Sequence, residues 1–358
     1  MAESFQVSAN PQAGRVIVSV IVPFFNAEKT LAHCIEALLK LENRNFEVLL
    51  IDNNSTDGSV DIAKDVAKQH PQRFFYRSET QQGPVFARNY GAAIARGEIL
   101  AFIDADCLVQ PAWLSEMVEA FEDPHIGAVA GKIGSHGAAT VFDKFHALFT
   151  FRGPQNAQTF NRFALTSGGF PTANLAVRKA IFQRIGGFDP ALNLLAGEDY
   201  DLCARVYREG FHIRYEPAVE VDHIHRNSLK GTWKQSYLFG LGHPFLLKRL
   251  FKRKFILELP GCSFESEKPT LRAWINLASA DKKLIGLLAL VFVWRPLAVL
   301  TVFYLLYLFR QIKQRGARDR MTLTFAETWA LVFLLFLKSA AMTAGRIHGA
   351  LKNRILCF

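Results

Sequence analysis

Two aspartates one residue apart, Asp104 and Asp106, close the apolar run Ile99–Ile103 in ILAFIDADCLVQPAW (99–113). A buried strand gains nothing from paired charges at its end, because a desolvated carboxylate is costly. A site that holds a divalent cation against a phosphate does gain. Hard oxygen ligands suit Mg²⁺ or Mn²⁺, which bind through one or two carboxylates together with substrate phosphates. A second acidic pair, Glu198 and Asp199 in GED (197–199), offers carboxylates of the kind that deprotonate an attacking hydroxyl. VDHIHRNS (221–228) adds His223 and His225, which alternation puts on one strand face, so either imidazole can serve as a ligand.

These groups need elements to position them. VIVSVIVPFF (16–25), FEVLLID (46–52), FFYRS (74–78) and EILAFID (98–104) read as strands, the longer ones apolar on both faces. Between them, TLAHCIEALLKL places Leu31, Ile35, Leu38 and Leu39 on one helical face. A capped helix follows NNSTDGS, and PVFARNYGAAIARG opens on Pro84 and stops at Gly97. Strands alternating with helices predict a parallel sheet with right-handed crossovers. Ligands bind beyond the carboxyl ends of such strands, where Asn26, Asp52 and Asp104 all fall.

The ordered segments VSVIVPFFN, VLLIDNNSTDGS, GPVFARNYGAAIARGEILAFIDADC, TANLAVRKAIFQRIGGFDP and GEDYDLCARVYREGF resemble the family 2 inverting glycosyltransferases, over about residues 16–240. The resemblance implies a GT-A fold, a Rossmann-like, mostly parallel sheet flanked by helices. It implies transfer of a single sugar from a nucleotide-sugar, most commonly UDP-linked, to a hydroxyl, with inversion and with Mn²⁺ or Mg²⁺. It assigns the general base to Asp199 and acceptor contacts to Glu198 and Asn174. On the donor side it implicates Pro23, Phe25, Asn26, Asp52, Asn53, Gly83, Arg88 and Asp104, with Arg88 free to pair with Asp104 or the diphosphate. The metal set it implies is Asp104, Asp106 and, from an H-x-x-R setting, His223. The order of Trp233 and Gln235 differs from the signature of processive polysaccharide synthases, which favours single-sugar transfer.

The chain has 358 residues, is half hydrophobic and carries a net charge of +10. That charge fits nucleic acid, an anionic membrane or a polyanionic substrate. The basic residues lie beside apolar segments, which favours the membrane over nucleic acid. Five scattered cysteines without metal-site spacing read as reduced thiols. The polar start, residues 1–15, reads as a flexible segment without a secretory signal core. The expected organisation is a catalytic domain over 16–242, with a donor half (16–130) and an acceptor half (131–242). A basic amphipathic interfacial helix is expected over 243–260, carrying Lys248, Arg249, Lys252, Arg253 and Lys254. Membrane-associated helices are expected over 261–358, with apolar segments 284–309 and 323–345. Arg295-Pro296 interrupts the first, and the basic linker 310–320 prefers the cytoplasm, so a re-entrant or in-plane arrangement at the inner membrane is expected, with a two-crossing hairpin as the alternative and the catalytic domain facing the cytoplasm. A lipid-linked saccharide or polysaccharide precursor is the acceptor this organisation implies. A sugar-nucleotidyltransferase would need a Gly-rich loop after the first strand, which VPFFNAEKT lacks; a non-catalytic glycan-binding scaffold would not need all three aspartates.

Overall fold

The computed structural model describes residues 17–357, except 44, 138, 151–152, 164–167, 194–195, 226–227, 251–254, 260–261, 267–272, 278, 294 and 296–297. The described residues form two compact units. One comprises Met1–His136, Phe151–Leu194 and Glu198–Ile224; the other comprises Gly137–Thr150, Leu195–Gly197 and His225–Phe358. The catalytic domain expected over 16–242 takes in the first unit together with 137–150, 195–197 and 225–242 of the second.

The first unit begins with β1 (Val18–Phe24), α1 (Glu28–Leu39), β2 (Phe46–Asp52), α2 (Ser59–Gln69), β3 (Phe74–Ser78), α3 (Pro84–Ile94) and β4 (Ile99–Phe102). It continues with β5 (Cys107–Val109), α4 (Trp113–Glu119) and β6 (Ile126–Ser135). After α5 (Val141–Phe149), which belongs to the second unit, come β7 (Gln158–Phe160), β8 (Leu175–Arg178), α6 (Lys179–Arg184), α7 (Glu198–Arg208) and β9 (His212–His223). Among the described residues the sheet order is β3-β2-β1-β4-β8-β6-β9-β5, with β7 beside β9. β3, β2, β1 and β4 run parallel, and β8 enters antiparallel to both β4 and β6.

The sequence reason for the unbroken apolar strands is visible in the packing. Val18, Val20 and Val22 of β1 pack with α1 residues Leu31, Ile35 and Leu38, while Ile21 faces α3 and its Val85 and Ala87. β2 divides likewise, Val48 and Leu50 to one side, Leu49 and Ile51 to the other. A period of two with both faces covered leaves little place for polar residues, and the two inside these strands satisfy each other, Ser19 Oγ donating to Glu47 Oε1 at 2.6 Å. β4 ends one residue earlier than its apolar run: the Ile103 amide donates to Ile21 O (3.2 Å), and a turn closed by Cys107 N to Asp104 O (3.0 Å) follows.

The second unit contains α5, α8 (Leu229–Leu250), β10 (Phe255–Leu259), β11 (Cys262–Ser266), β12 (Ala273–Asn276), α9 (Ala280–Val293), α10 (Ala298–Arg318), α11 (Phe325–Asn353) and β13 (Leu356–Cys357). Its four strands pair in the order β11-β10-β12-β13. α8 and α11 touch backbone to backbone at glycines: a Cβ on Gly345 would lie 2.1 Å from Tyr237 O, and one on Gly240 2.1 Å from Met342 O. The expected interfacial helix over 243–260 is corrected. α8 carries Lys248 and Arg249 to its end, and 255–259 is a strand paired antiparallel with β11. Lys252, Arg253 and Lys254 lie outside the described residues, as does the segment 1–15. The apolar stretch 284–309 is divided between α9 and α10 around Arg295-Pro296, where proline cannot continue a hydrogen-bonded helix. α11 starts at a capping box made by Thr324 and Glu327. Among the described residues it is the one helix long and apolar enough to cross a membrane.

Candidate active site

Arg88 sits on the inner face of α3 with 5% of its surface exposed. Its Nη2 reaches Asp104 Oδ1 at 2.9 Å, and its Nη1 reaches Glu198 Oε1 at 3.0 Å. One guanidinium thus joins the end of β4 to the start of α7, the kind of forked contact for which arginine is suited. Burial works against the Arg88 charge, but Asp104 and Glu198 outweigh it and raise its pKa. The expected Arg88–Asp104 pair is present; the link to Glu198 is an addition that no spacing in the sequence signals. α3 is aimed by its next residue as well. Asn89 donates to Phe188 O (2.8 Å) and accepts from Phe188 N (2.9 Å), tying α3 to the GGFDP loop.

Asp199 follows Glu198 in the first turn of α7. Its Oδ1 accepts the Tyr200 amide at 2.8 Å. Burial, then the neighbouring Glu198 carboxylate, push the Asp199 pKa up to about 8. A carboxyl poised near neutral pH is matched to general-base work, and two adjacent acids with different surroundings can divide two roles. Glu198 is neutralised by Arg88, whereas Asp199 keeps proton affinity. The rest of α7 anchors the pair: Asp201 and Arg205 meet at 2.8 Å, and Arg205 Nη1 donates to Ile185 O (2.7 Å) and Gly187 O (2.6 Å).

The two aspartates of the DAD turn part company. Asp104 turns to Arg88, and Asp106 Oδ1 lies 3.3 Å from His223 Nε2. The group of potential ligands found among the described residues is Asp106, Cys107 and His223, so Asp104 is not in it. β5 and β9 produce this meeting, since Cys107 pairs with His223 across the sheet and Ile224 N donates to Asp106 O at 2.8 Å. Burial and the carboxylates of Asp106 and Asp104 raise the Cys107 thiol pKa well above its ordinary value. A protonated thiol is a poor ligand for a hard cation, which leaves the Asp106 oxygens and the His223 nitrogen as donors that fit Mn²⁺ or Mg²⁺. His225, the other candidate, stacks on His146 with ring centres 4.6 Å apart in the second unit.

The donor-side residues knit two strand ends together. Asn26, at φ 50°, accepts Thr56 N (2.8 Å) and donates its own amide to Ser55 Oγ (3.0 Å). Asp52 accepts Ser55 N at 3.0 Å. Pro23 pairs with Ile51 beyond the last β1–β4 pair, Ile21 with Phe102. Phe25, 52% exposed beside them, presents an aromatic face to solvent. Asn53 and Gly83 are corrected from direct contacts to loop-shaping residues. Asn53 is buried and donates to Glu79 O (3.1 Å) and Gln81 O (2.7 Å), and it accepts Gly83 N at 2.6 Å. Gly83 has φ 132°, and a Cβ there would come 1.8 Å from Asn193 Oδ1.

Asn174 is also corrected. It is 1% exposed, and its amide donates to Lys132 O (2.9 Å) and Val219 O (2.8 Å) while accepting Trp113 Nε1 (2.9 Å). The two carbonyls lie at the irregularity where the β6–β9 register jumps between Gly131 and Lys132. A bulge leaves ladder groups unpaired, and Asn174 satisfies them. Both of its N–H groups are thereby used within the fold. Asn89 and Arg205, which position the site, were missed by sequence reading; the NYG and DLCAR segments gave no cue beyond a helical pattern.

Residues 19–186 match the family model described as Glycosyl transferase family 2. The pre-mycofactocin glycosyltransferase of Mycobacterium tuberculosis (strain ATCC 25618 / H37Rv) is 27% identical over 232 residues, 62% of this chain and 46% of that protein. The chain therefore spans about half the length of that relative. A dolichyl N-acetyl-alpha-D-glucosaminyl phosphate 3-beta-D-2,3-diacetamido-2,3-dideoxy-beta-D-glucuronosyltransferase of Methanococcus voltae is 22% identical, covering 65% of this chain and 74% of its own. Among solved structures, the mannosyltransferase PcManGT from Pyrobaculum calidifontis, in complex with GDP-Man and Mn²⁺, superposes with a TM-score of 0.55 at 20% identity. It covers 96% of this chain and 88% of its own. At that identity the likeness is one of fold, and the fold is GT-A.

Proposed function

We propose that this chain, whose residues 19–186 match the model described as Glycosyl transferase family 2, transfers a single sugar, with inversion, from a UDP-linked donor to a hydroxyl of a lipid-linked saccharide at the inner face of a cytoplasmic membrane. The observation that carries this reading is the Arg88 bridge between Asp104 and Glu198, next to an Asp199 whose pKa stands near 8. Asp199 takes the proton of the acceptor hydroxyl as its oxygen bonds to the anomeric carbon. The bond from that carbon to the diphosphate breaks, and the nucleoside diphosphate leaves. Burial beside Glu198 raises its proton affinity, which suits it to take that proton.

Asp106 and His223 would hold a divalent cation, which neutralises the leaving diphosphate as a Lewis acid. Arg88 keeps Asp104 and Glu198 oriented. Phe25 offers a stacking surface for the nucleobase and Asp52 a polar contact to it. By analogy, the dolichyl substrate named for one relative supports the lipid class, and the GDP-Man and Mn²⁺ of the structural neighbour support a nucleotide-sugar donor and a divalent metal without favouring UDP. The sugar-nucleotidyltransferase reading has no comparable support. The test is incubation of the purified full-length chain with labelled nucleotide-sugars, Mn²⁺ and lipid-linked saccharides, with and without chelator. Chelator-sensitive label transfer to lipid supports the reading. Label release that never reaches any saccharide acceptor would sink it.

A further inference from the structure

Helix α10 exposes a continuous apolar stripe. Val299, Leu300, Val302, Phe303, Leu306 and Tyr307 are each between 41% and 63% exposed. Their spacing, three to four residues apart in pairs, is that of a single helical face. The opposite face is occupied: Leu305, Leu308 and Ile312 pack into the core of the second unit with Leu331 and Val332 of α11. α9 adds Ile285 (63%) and Leu288 (51%) to the exposed set. Large apolar side chains contiguous over two consecutive helices mark an interaction surface rather than the scattered exposure of ordinary proteins.

Charge identifies the occupant. Beyond Tyr307 the same helix carries the exposed Arg310, Lys313 and Arg318, with Arg320 just past its end and Asp319 the one acid in 310–320, while Arg315 turns inward onto Phe149. An aliphatic and aromatic face followed by a basic one matches an anionic lipid surface, hydrocarbon below and headgroups above. Length sets the depth. The apolar part of α10, residues 298–309, is about 18 Å long at 1.5 Å per residue, well short of the ~30 Å hydrocarbon core. α11, the helix long enough to cross, is held along one side by protein, while Phe325, Phe333 and Leu351 stay exposed. Its Leu331, Val332, Leu334 and Ala341 are buried, and its glycines lie against the backbone of α8.

We propose that the exposed apolar face of α10, with Ile285 and Leu288 of α9, is a membrane-embedded element, and that it enters a single leaflet of an anionic bilayer with the basic segment 310–320 left on the side of entry. The inference deepens the membrane component of the proposed function, but its readouts are independent of sugar transfer.

The experiment uses the full-length chain with Cys262→Ser, since Cys262 is exposed and the other four cysteines are buried. Single cysteines at Phe303, Leu306 and Arg318 carry an environment-sensitive fluorophore. The probes are sealed vesicles of phosphatidylcholine with and without phosphatidylglycerol. Labels at 303 and 306 are expected to shift to the blue and to be quenched by shallow-depth spin-labelled lipid. The label at 318 is expected to stay open to an aqueous quencher added outside. A paired Phe303→Asp, Leu306→Asp variant, altered only at exposed positions, is expected to lose about tenfold or more in vesicle partitioning, with an unchanged thermal transition. Labels at 303 and 306 that remain aqueous while the chain sediments with vesicles would overturn the proposal. So would a 318 label protected from the outside quencher in sealed vesicles, which marks a crossing. A lipid-free dimer that the paired variant makes monomeric, without loss of vesicle binding, would assign the face to a second copy of the chain and equally reject it.

Discussion

Arg88 and Glu198, 110 positions apart in sequence, meet at 3.0 Å with both side chains largely buried. The contact locks the first turn of α7 to α3, and with it the residue that follows, Asp199. The remaining Nη holds Asp104, so a single side chain sets the spacing between the end of the central strand and the acidic pair.

Arg88→Met is expected to cost about 3–5 kcal/mol, since it leaves Glu198 uncompensated beside Asp199. Denaturant unfolding measures the loss. Adding Glu198→Gln to Arg88→Met should recover part of it, and strict additivity of the two changes would show that they do not interact.

Asp106→Ala and His223→Ala are each expected to weaken Mn²⁺ binding by more than the roughly 10–100-fold that loss of an orienting partner costs. Titration calorimetry reads this directly. Asp104→Ala should act differently, lowering stability through Arg88 and affecting Mn²⁺ less. Equal loss of Mn²⁺ affinity in all three variants would put Asp104 back among the ligands.

Asp199→Asn is expected to reduce transfer on the order of 10²–10⁴-fold while leaving nucleotide and Mn²⁺ binding nearly intact. It should also stabilise the free protein. With a folded pKa of about 8 and an unfolded one near ~3.9, folded Asp199 holds a proton that the unfolded chain has lost between those values. Wild-type stability therefore falls as pH rises through that window and levels off above it. The advantage of Asp199→Asn should grow from about pH 4 to about pH 8 and then stay constant, as followed by thermal melts. Wild-type transfer should climb toward pH 8 as the base ionises. A stability difference independent of pH would refute the raised pKa.

Asn174→Ala is expected to destabilise by roughly 3 kcal/mol or more, because it strands Trp113 Nε1 and two strand carbonyls in the interior. KM for the acceptor in the folded fraction should not change. A selective rise in acceptor KM at normal stability would restore Asn174 as an acceptor contact.

The alternation of strands and helices, and the strand bounds at 46–52 and 74–78, were legible in the sequence because both-face burial imposes unbroken apolar runs that few other arrangements tolerate. The chemistry-bearing types were legible too: Asp106, Asp199 and His223 stand at element ends, where polar side chains are retained for work rather than packing. Their partners were not. The separation of Asp104 from Asp106 depends on the turn that sends one toward Arg88 and the other toward His223, and both partners come from distant strands and helices. Asn174 and Asn53 have the same side-chain chemistry as a ligand contact. Only the β6–β9 register jump and the loop over 79–83 reveal which buried amides and carbonyls they must satisfy. In the C-terminal third, hydropathy gave the apolar segments but ranked them by length. Packing decided which sides are used: α11 sets its glycines against α8, and α10 turns one apolar face outward. A residue's type and local period follow from the chain alone; which atoms it is left to satisfy is fixed only when segments far apart in sequence close on one another.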